Sequence, residues 1–152
     1  MLEDIFLRKV EKNDIVNVFN LSNEDYVREY SLNKEKIEWD EHVKWFEKVL
    51  QNDNFFYVVS NKDHEFLGQI RYKVENKNAT VSISLSKEIV GKGKSRSLLT
   101  ESMVLLKKEC PSIENIIAYI SKDNVPSQKL FVKANFTLFK EDSNFNQYIY
   151  KY

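Results

Sequence analysis

The chain has 152 residues, 42% of them hydrophobic and 30% charged, which is one domain's worth of chain with enough apolar surface for a core. Lysine plus arginine and aspartate plus glutamate both number 23, so the formal net charge is zero, and no chain-wide basic field exists to hold nucleic acid. A lone cysteine, Cys110, excludes an intramolecular disulfide and a zinc site built on several thiolates, and no apolar run approaches the ~20 residues of a membrane span.

No repeat or low-complexity linker divides the chain, so residues 1–152 read as a single domain. The opening residues lack a basic segment ahead of an apolar run, so no secretory leader is expected and the cytoplasm is the expected compartment. Residues 3–10 begin as a strand. Asn13 and Asp14 suit the cap of a short helix carrying Ile15, Val16, Val18 and Phe19, and residues 24–30 suit a second. Asp40 suits the cap of a longer helix to about Gln51, where Trp39, Val43, Phe46 and Leu50 make one face. The period then changes. Residues 55–60 and 65–74 read as strands. Residues 80–86 alternate strictly, with Val81, Ile83 and Leu85 on one face and Ser82, Ser84 and Ser86 on the other. A loop over residues 87–92 leads into a helix with Leu99, Met103, Leu106 and Cys110 on one stripe, ended by Pro111. Residues 116–120 form a strand and 124–134 a helix with Pro126 in its first turn. Residues 136–140 and 147–152 close the chain as a hairpin. This order predicts an α/β (α+β) architecture: a mixed, mostly antiparallel sheet of six to seven strands flanked by helices. One strand–helix–strand crossover, over residues 80–120, sits inside it. Ligands of open α/β sheets lie beside the carboxyl ends of such strands, so the loop after Ser86 is the first place to look.

Two of the three glycines, Gly91 and Gly93, fall in that loop. Glycine permits close approach and positive φ, and a helix start offers unpaired N–H groups to an anion. Three readings compete: a turn that merely needs flexibility, an ATP-type phosphate loop ending in Gly93, Lys94 and Ser95, and a pyrophosphate loop for coenzyme A. The second places Glu88 where its first glycine belongs, with a carboxylate facing the phosphates.

The third reading gains from a resemblance. Val81 to Leu85, the loop Val90, Gly91, Lys92, Gly93, Lys94, Ser95, and the helix with Leu98 and Leu99 resemble the Q/R-x-x-G-x-G/A motif of the GNAT N-acetyltransferases. Gly93 matches the central glycine, while Val90 and Ser95 depart from the pattern. Downstream, Asn124, Ser127, Leu130, Phe131, Lys133, Asn135 and Phe136 resemble N-x-x-S-x-x-[LV]-[YF]-x-K-x-G-F. Asn135 stands for glycine at a helix end, where asparagine is the next-best residue for positive φ. Asn23, Val27, Arg28, Ser31, His42, Trp45, Phe46 and the run Gly68 to Arg71 resemble a branch that acetylates nucleotide-linked amino sugars, as in pseudaminic-acid pathways. That branch overlaps with protein N-terminal acetyltransferases.

The resemblance implies a GNAT fold, acetyl-coenzyme A as co-substrate and no metal. It implies coenzyme A contacts from Ile83 and Leu85 through Val90, Gly91, Lys92, Gly93, Lys94 and Ser95 to Asn124, Ser127 and Phe131. Phe131 stands where many members carry the tyrosine that protonates the leaving thiolate. The expected partner is a small-molecule amine, not nucleic acid or a membrane, for a monomer or homodimer. An oxyanion donor is implied at a backbone N–H near Leu85. No carboxylate lies within residues 80–86, so Ser82 and Ser84 are candidates to order a proton-relaying water, and His42 has the intrinsic pKa of a base. Gln69 and Arg71 share a strand face and suit either solvent or the acceptor, with Arg71 reaching a phosphate or carboxylate. Asn23 and Arg28 suit either a cleft wall or bracing of the early helices. Peptide-amine acetylation and a catalytically silent coenzyme A-binding module are the competing functions.

Overall fold

The structure is a computed structural model that describes residues 4–52 and 55–152. Seven strands form one sheet in the order β1-β2-β3-β4-β5-β7-β6. They are β1 (Phe6–Lys9), β2 (Phe55–Ser60), β3 (Phe66–Glu75), β4 (Asn78–Leu85), β5 (Asn115–Ser121), β6 (Thr137–Glu141) and β7 (Phe145–Lys151). Among the described residues five α-helices flank it: α1 (Ile15–Ser22), α2 (Asp25–Arg28), α3 (Trp39–Gln51), α4 (Ser95–Glu109) and α5 (Val125–Lys133), with a 3-10 turn at Lys12–Asp14. All neighbouring strands are antiparallel except β4 and β5. The single parallel pair is the crossover through α4, as the spacing predicts. No described helix is long and apolar enough to cross a membrane.

The alternation of β4 sets its two faces. Val81 and Leu85 join the larger core with Leu99, Met103 and Leu106 of α4 and Phe131 of α5. On the opposite face Phe56 and Val58 pack against Val18 of α1 and Phe46 of α3. Cys110 stands just past the end of α4, at its cap.

Several boundaries differ from the expected ones. α1 starts at Ile15, and Asp14 makes no side-chain cap bond. Its carboxylate instead takes both Arg8 guanidinium nitrogens at 2.8 Å and the Glu11 N–H at 2.7 Å, since a buried charge is held best by charge-assisted bonds. α3 starts one residue before Asp40, with Glu38 at the cap. The second helix shrinks to Asp25–Arg28, and the glycine loop runs two residues further, to Lys94.

The sheet splits between β4 and β5. β4 and β5 pair only at Asn78–Asn115, Ala79–Ile116 and Thr80–Ile117. Beyond Thr80 the two strands part, so the carboxyl half of β4 keeps β3 as its sole partner strand.

Candidate active site

A cavity of about 1000 Å³ opens where β4 has lost its neighbour. Its walls come from Ile83, Ser84 and Leu85 of β4, the loop and first turn of α4, the first turns of α5, and Tyr26, Val27, Tyr30 and Ser31 across from them.

The start of α4 is open. Lys94 occupies the cap position, but no side chain caps the helix, so its first N–H groups have neither an intrahelical nor a side-chain partner. Gly91 and Gly93, at φ +74° and +78°, turn the loop in the region that favours glycine. A Cβ at either would meet nothing within 4 Å, so the backbone conformation is what calls for glycine there. The start of α5 is arranged differently. Asn124 is its cap, and its Oδ1 accepts from the Ser127 N–H at 3.2 Å. Asn124 also lines the cavity. Asn135 closes α5 at φ +71°, as the motif requires.

The β4 backbone supplies a second donor. The Ser86 N–H donates to the Leu67 carbonyl at 2.9 Å, and Gly68 lies opposite Leu85. Those bonds bracket Gly68 and Leu85 as a non-hydrogen-bonded antiparallel pair, so the N–H and C=O of Leu85 point away from β3. They point to the side that β5 has vacated. The Tyr26 hydroxyl donates to the Leu85 carbonyl at 2.7 Å, which leaves the Leu85 N–H facing the cavity. Burial pushes the Tyr26 phenol above its ordinary pKa, so it stays a donor at neutral pH. Gly68 makes this approach possible: a Cβ there would lie 2.7 Å from the Leu85 side chain and 2.9 Å from the Ser84 carbonyl oxygen.

Among the described residues the wall carries Arg96, Lys129 and Lys133 and no carboxylate or imidazole. These three cations are absent from the expected site. Arg96 had a signal in the sequence, because a cation in a first helical turn opposes the helix dipole unless an anion joins it. Lys129 and Lys133 are four apart on one face of α5, but only the tertiary structure turns that face inward. Among the described residues no cluster of His, Cys, Asp or Glu suits a metal ion.

Of the expected coenzyme A residues, Ile83, Leu85, Val90, Gly91, Gly93, Ser95, Asn124 and Ser127 line the cavity. Lys92 and Lys94 do not; the charge expected from them comes from Arg96 and α5. Phe131 is also displaced from the wall. It is 2% exposed and packs edge-on against Phe136 at 4.9 Å, because the core takes that face of α5 and leaves Leu130 to the cavity.

Ser84 lines the cavity, as expected of it. His42 does not. It is 2% exposed, donates from Nε2 to the Ile15 carbonyl at 2.8 Å, and sits among Phe19, Trp39, Trp45 and Phe46. Burial lowers its pKa, so it is a neutral tie between α1 and α3. Asn23 is a brace: its side chain donates to the Ile37 carbonyl and accepts from the Ile37 N–H. Gln69, Arg71 and Arg28 lie off the cavity wall, with Gln69 and Arg71 on the α1/α3 face of the sheet.

Residues 4–137 match the family model of the acetyltransferase (GNAT) domain. The chain is 22% identical over 138 residues to acetyltransferase PseH of Campylobacter jejuni, covering 90% of this chain and 85% of that protein. Spermidine N-acetyltransferase from Vibrio cholerae, in complex with CoA and spermine, superposes with a TM-score of 0.82 at 17% identity, covering 98% of this chain and 96% of that one. A domain from Methanocaldococcus jannaschii superposes with a TM-score of 0.84 at 19% identity, covering 97% and 98%.

Proposed function

The chain belongs to the GNAT acetyltransferase family and is an acetyl-coenzyme A-dependent N-acetyltransferase; from that premise we propose that its acceptor is the primary amine of a nucleotide-linked amino sugar. The observation that carries the donor side is the open start of α4, preceded by two positive-φ glycines, on a cavity whose described wall holds three cations and no acid. Its N–H groups and Arg96 suit the pyrophosphate, and the Asn124 amide suits the pantetheine arm. Likeness of the N-terminal half to the amino-sugar branch, and of the whole chain to acetyltransferase PseH, supports the acceptor.

Acetyl-coenzyme A supplies a thioester carbonyl for the amine to attack. The Leu85 N–H is the donor to the carbonyl oxygen as charge gathers on it, a contribution worth about 3 kcal/mol for one such donor. Tyr26 holds that peptide by its carbonyl. The amine's proton leaves through water ordered by Ser84, since neither carboxylate nor imidazole stands on the wall among the described residues. Phe131 has no proton for the departing thiolate. A thiol of pKa about 8.5 leaves at neutral pH without a dedicated acid, and solvent protonates it.

The test is an acetylation screen over amino sugars, nucleotide-linked amino sugars, polyamines and peptides. Turnover is expected with a nucleotide-linked amino sugar. A preference for peptides would replace the acceptor, and binding of acetyl-coenzyme A with no turnover on any amine would make the chain a silent binding module.

A further inference from the structure

The end of β4 is held unevenly. On the β3 side Leu85 lies opposite Gly68, and the Ser86 N–H donates to the Leu67 carbonyl. On the other side β5 has parted from the strand, and the Tyr26 hydroxyl is the partner of the Leu85 carbonyl at 2.7 Å. Tyr26 belongs to α2, whose four residues are too few to stand as a helix by themselves. Neighbouring side chains tie that turn to the segment after it: Asn23 to both backbone groups of Ile37, Asp25 to Lys36 at 2.7 Å, and Arg28 to the Glu35 carbonyl at 3.3 Å. The Tyr26 ring is in neither hydrophobic core. It lines the main cavity and also a smaller one of about 290 Å³, so core packing does not fix its tilt.

Lys87 supplies a further contact. Its Nζ stands 5.1 Å over the centre of the Tyr26 ring, within the ~6 Å over which a ring face attracts a cation. Glu24 and Glu88 line the smaller cavity with it, but Lys87 enters no ion pair among the described residues. Its charge is therefore left to the ring. The cation steadies the ring face, and it draws electron density from the phenol, which strengthens the hydroxyl as a donor. Lys87 follows Leu85 by two positions, so one short stretch of chain holds the same ring at its face and at its hydroxyl. A shift of the strand end has to break both contacts.

We propose that Lys87 is a positioning residue for the transfer step, acting through Tyr26 to keep the Leu85 N–H aimed at the thioester carbonyl. Lys87 lies off the wall of the main cavity and touches neither acetyl-coenzyme A nor the amine. This rests on the reading of Leu85 as the oxyanion donor and adds the side chain that tunes it.

The test uses the full chain, UDP-glucosamine as the amine, and leucine labelled with heavy nitrogen to follow the Leu85 amide by NMR. Tyr26→Phe should lower kcat by about tenfold and Lys87→Met by about threefold. KM for both substrates and the melting temperature should stay as they are. Lys87→Arg should keep most of kcat, since a guanidinium serves a ring face as well. In the Tyr26→Phe background Lys87→Met should cost nothing further, because no hydroxyl remains to strengthen. Acetyl-coenzyme A should move the Leu85 amide resonance in the wild type and move it less in Lys87→Met. Additive losses, an unchanged kcat in Lys87→Met, or a loss that appears in KM overturns the proposal. If acetyl-coenzyme A binds and leaves the Leu85 resonance in place, Leu85 is not the donor and Lys87 loses its role with it. If acetyl-coenzyme A binds and UDP-glucosamine is not acetylated, the acceptor reading falls and the resonance decides: equal shifts in the wild type and Lys87→Met overturn the role of Lys87, and a smaller shift in the variant supports it.

Discussion

The cavity and the α1/α3 face of the sheet are built from different materials. On the donor side, the start of α4 and the Leu85 peptide present backbone N–H groups, and side chains only tune them. On the α1/α3 face, Gln69 and Arg71 of β3 make their contacts through side chains, to Ser22 and the Trp45 ring. Backbone donors survive a change of residue type so long as the conformation survives. That is why Val90 and Ser95 depart from the family pattern while the loop keeps its two positive-φ glycines. The α1/α3 face has no such tolerance, because its contacts reside in the side chains themselves.

That contrast can be broken first at Gly68. A Cβ there meets the Ser84 and Leu85 backbone at 2.9 and 3.1 Å, and backbone cannot step aside as a side-chain end does. Gly68→Ala should shift the Leu85 peptide and lower kcat by up to about a hundredfold, the worth of one oxyanion donor. Calorimetry should find coenzyme A affinity little changed. Unchanged kcat would remove Leu85 from the reaction.

Gly93→Val attacks the donor side directly. Valine is strained at φ +78°, so the loop must rebuild and coenzyme A affinity should fall at least about tenfold, or 1.4 kcal/mol. Unchanged binding in a folded variant would move the pyrophosphate elsewhere.

Phe131→Tyr sharpens the comparison from the core. A hydroxyl added at a side chain 2% exposed must find a partner or cost about 1–3 kcal/mol in stability. Expected kcat changes by less than about tenfold. A large gain in turnover would show that the thiolate needs an acid after all.

The smallest effect concerns His42, which the reaction does not use. Its pKa is lowered in the folded chain, so below the ordinary value of about 6.5 the unfolded chain binds more protons than the folded one. Its contribution is complete above that pH and is lost as pH falls toward the depressed value. The melting temperature should therefore fall more steeply from pH 7 to pH 5 in the wild type than in His42→Gln, by about 2–4 °C for each kcal/mol lost. Parallel curves would place the imidazole in a wetter setting.

What was readable in the chain divides along the same line. Period-two alternation in β4 and the glycines and asparagines at 91, 93, 124 and 135 are local signals, since each reports the conformation of its own few residues. They located the crossover, the loop and both helix starts. His42 misled because its neighbours in sequence say only that it is helical, and whether it meets Phe19 and Ile15 or a ligand depends on how α1 docks on α3. Lys92 and Lys94 lie off the cavity lining for a related reason: proximity in sequence to a loop does not aim a side chain into the cavity beside it.

By itself the sequence determined the order of elements, the sheet's mixed character and the backbone chemistry of the donor loop, because those follow from periodicity, caps and permitted φ over short stretches. Only the tertiary structure decided that β4 and β5 part after Thr80. The same folding brings Tyr26 to the Leu85 carbonyl across 59 positions of chain and lays Arg71 on the Trp45 ring. Such pairings join residues far apart in sequence, and the packing of whole helices against the sheet is what sets the distances between them.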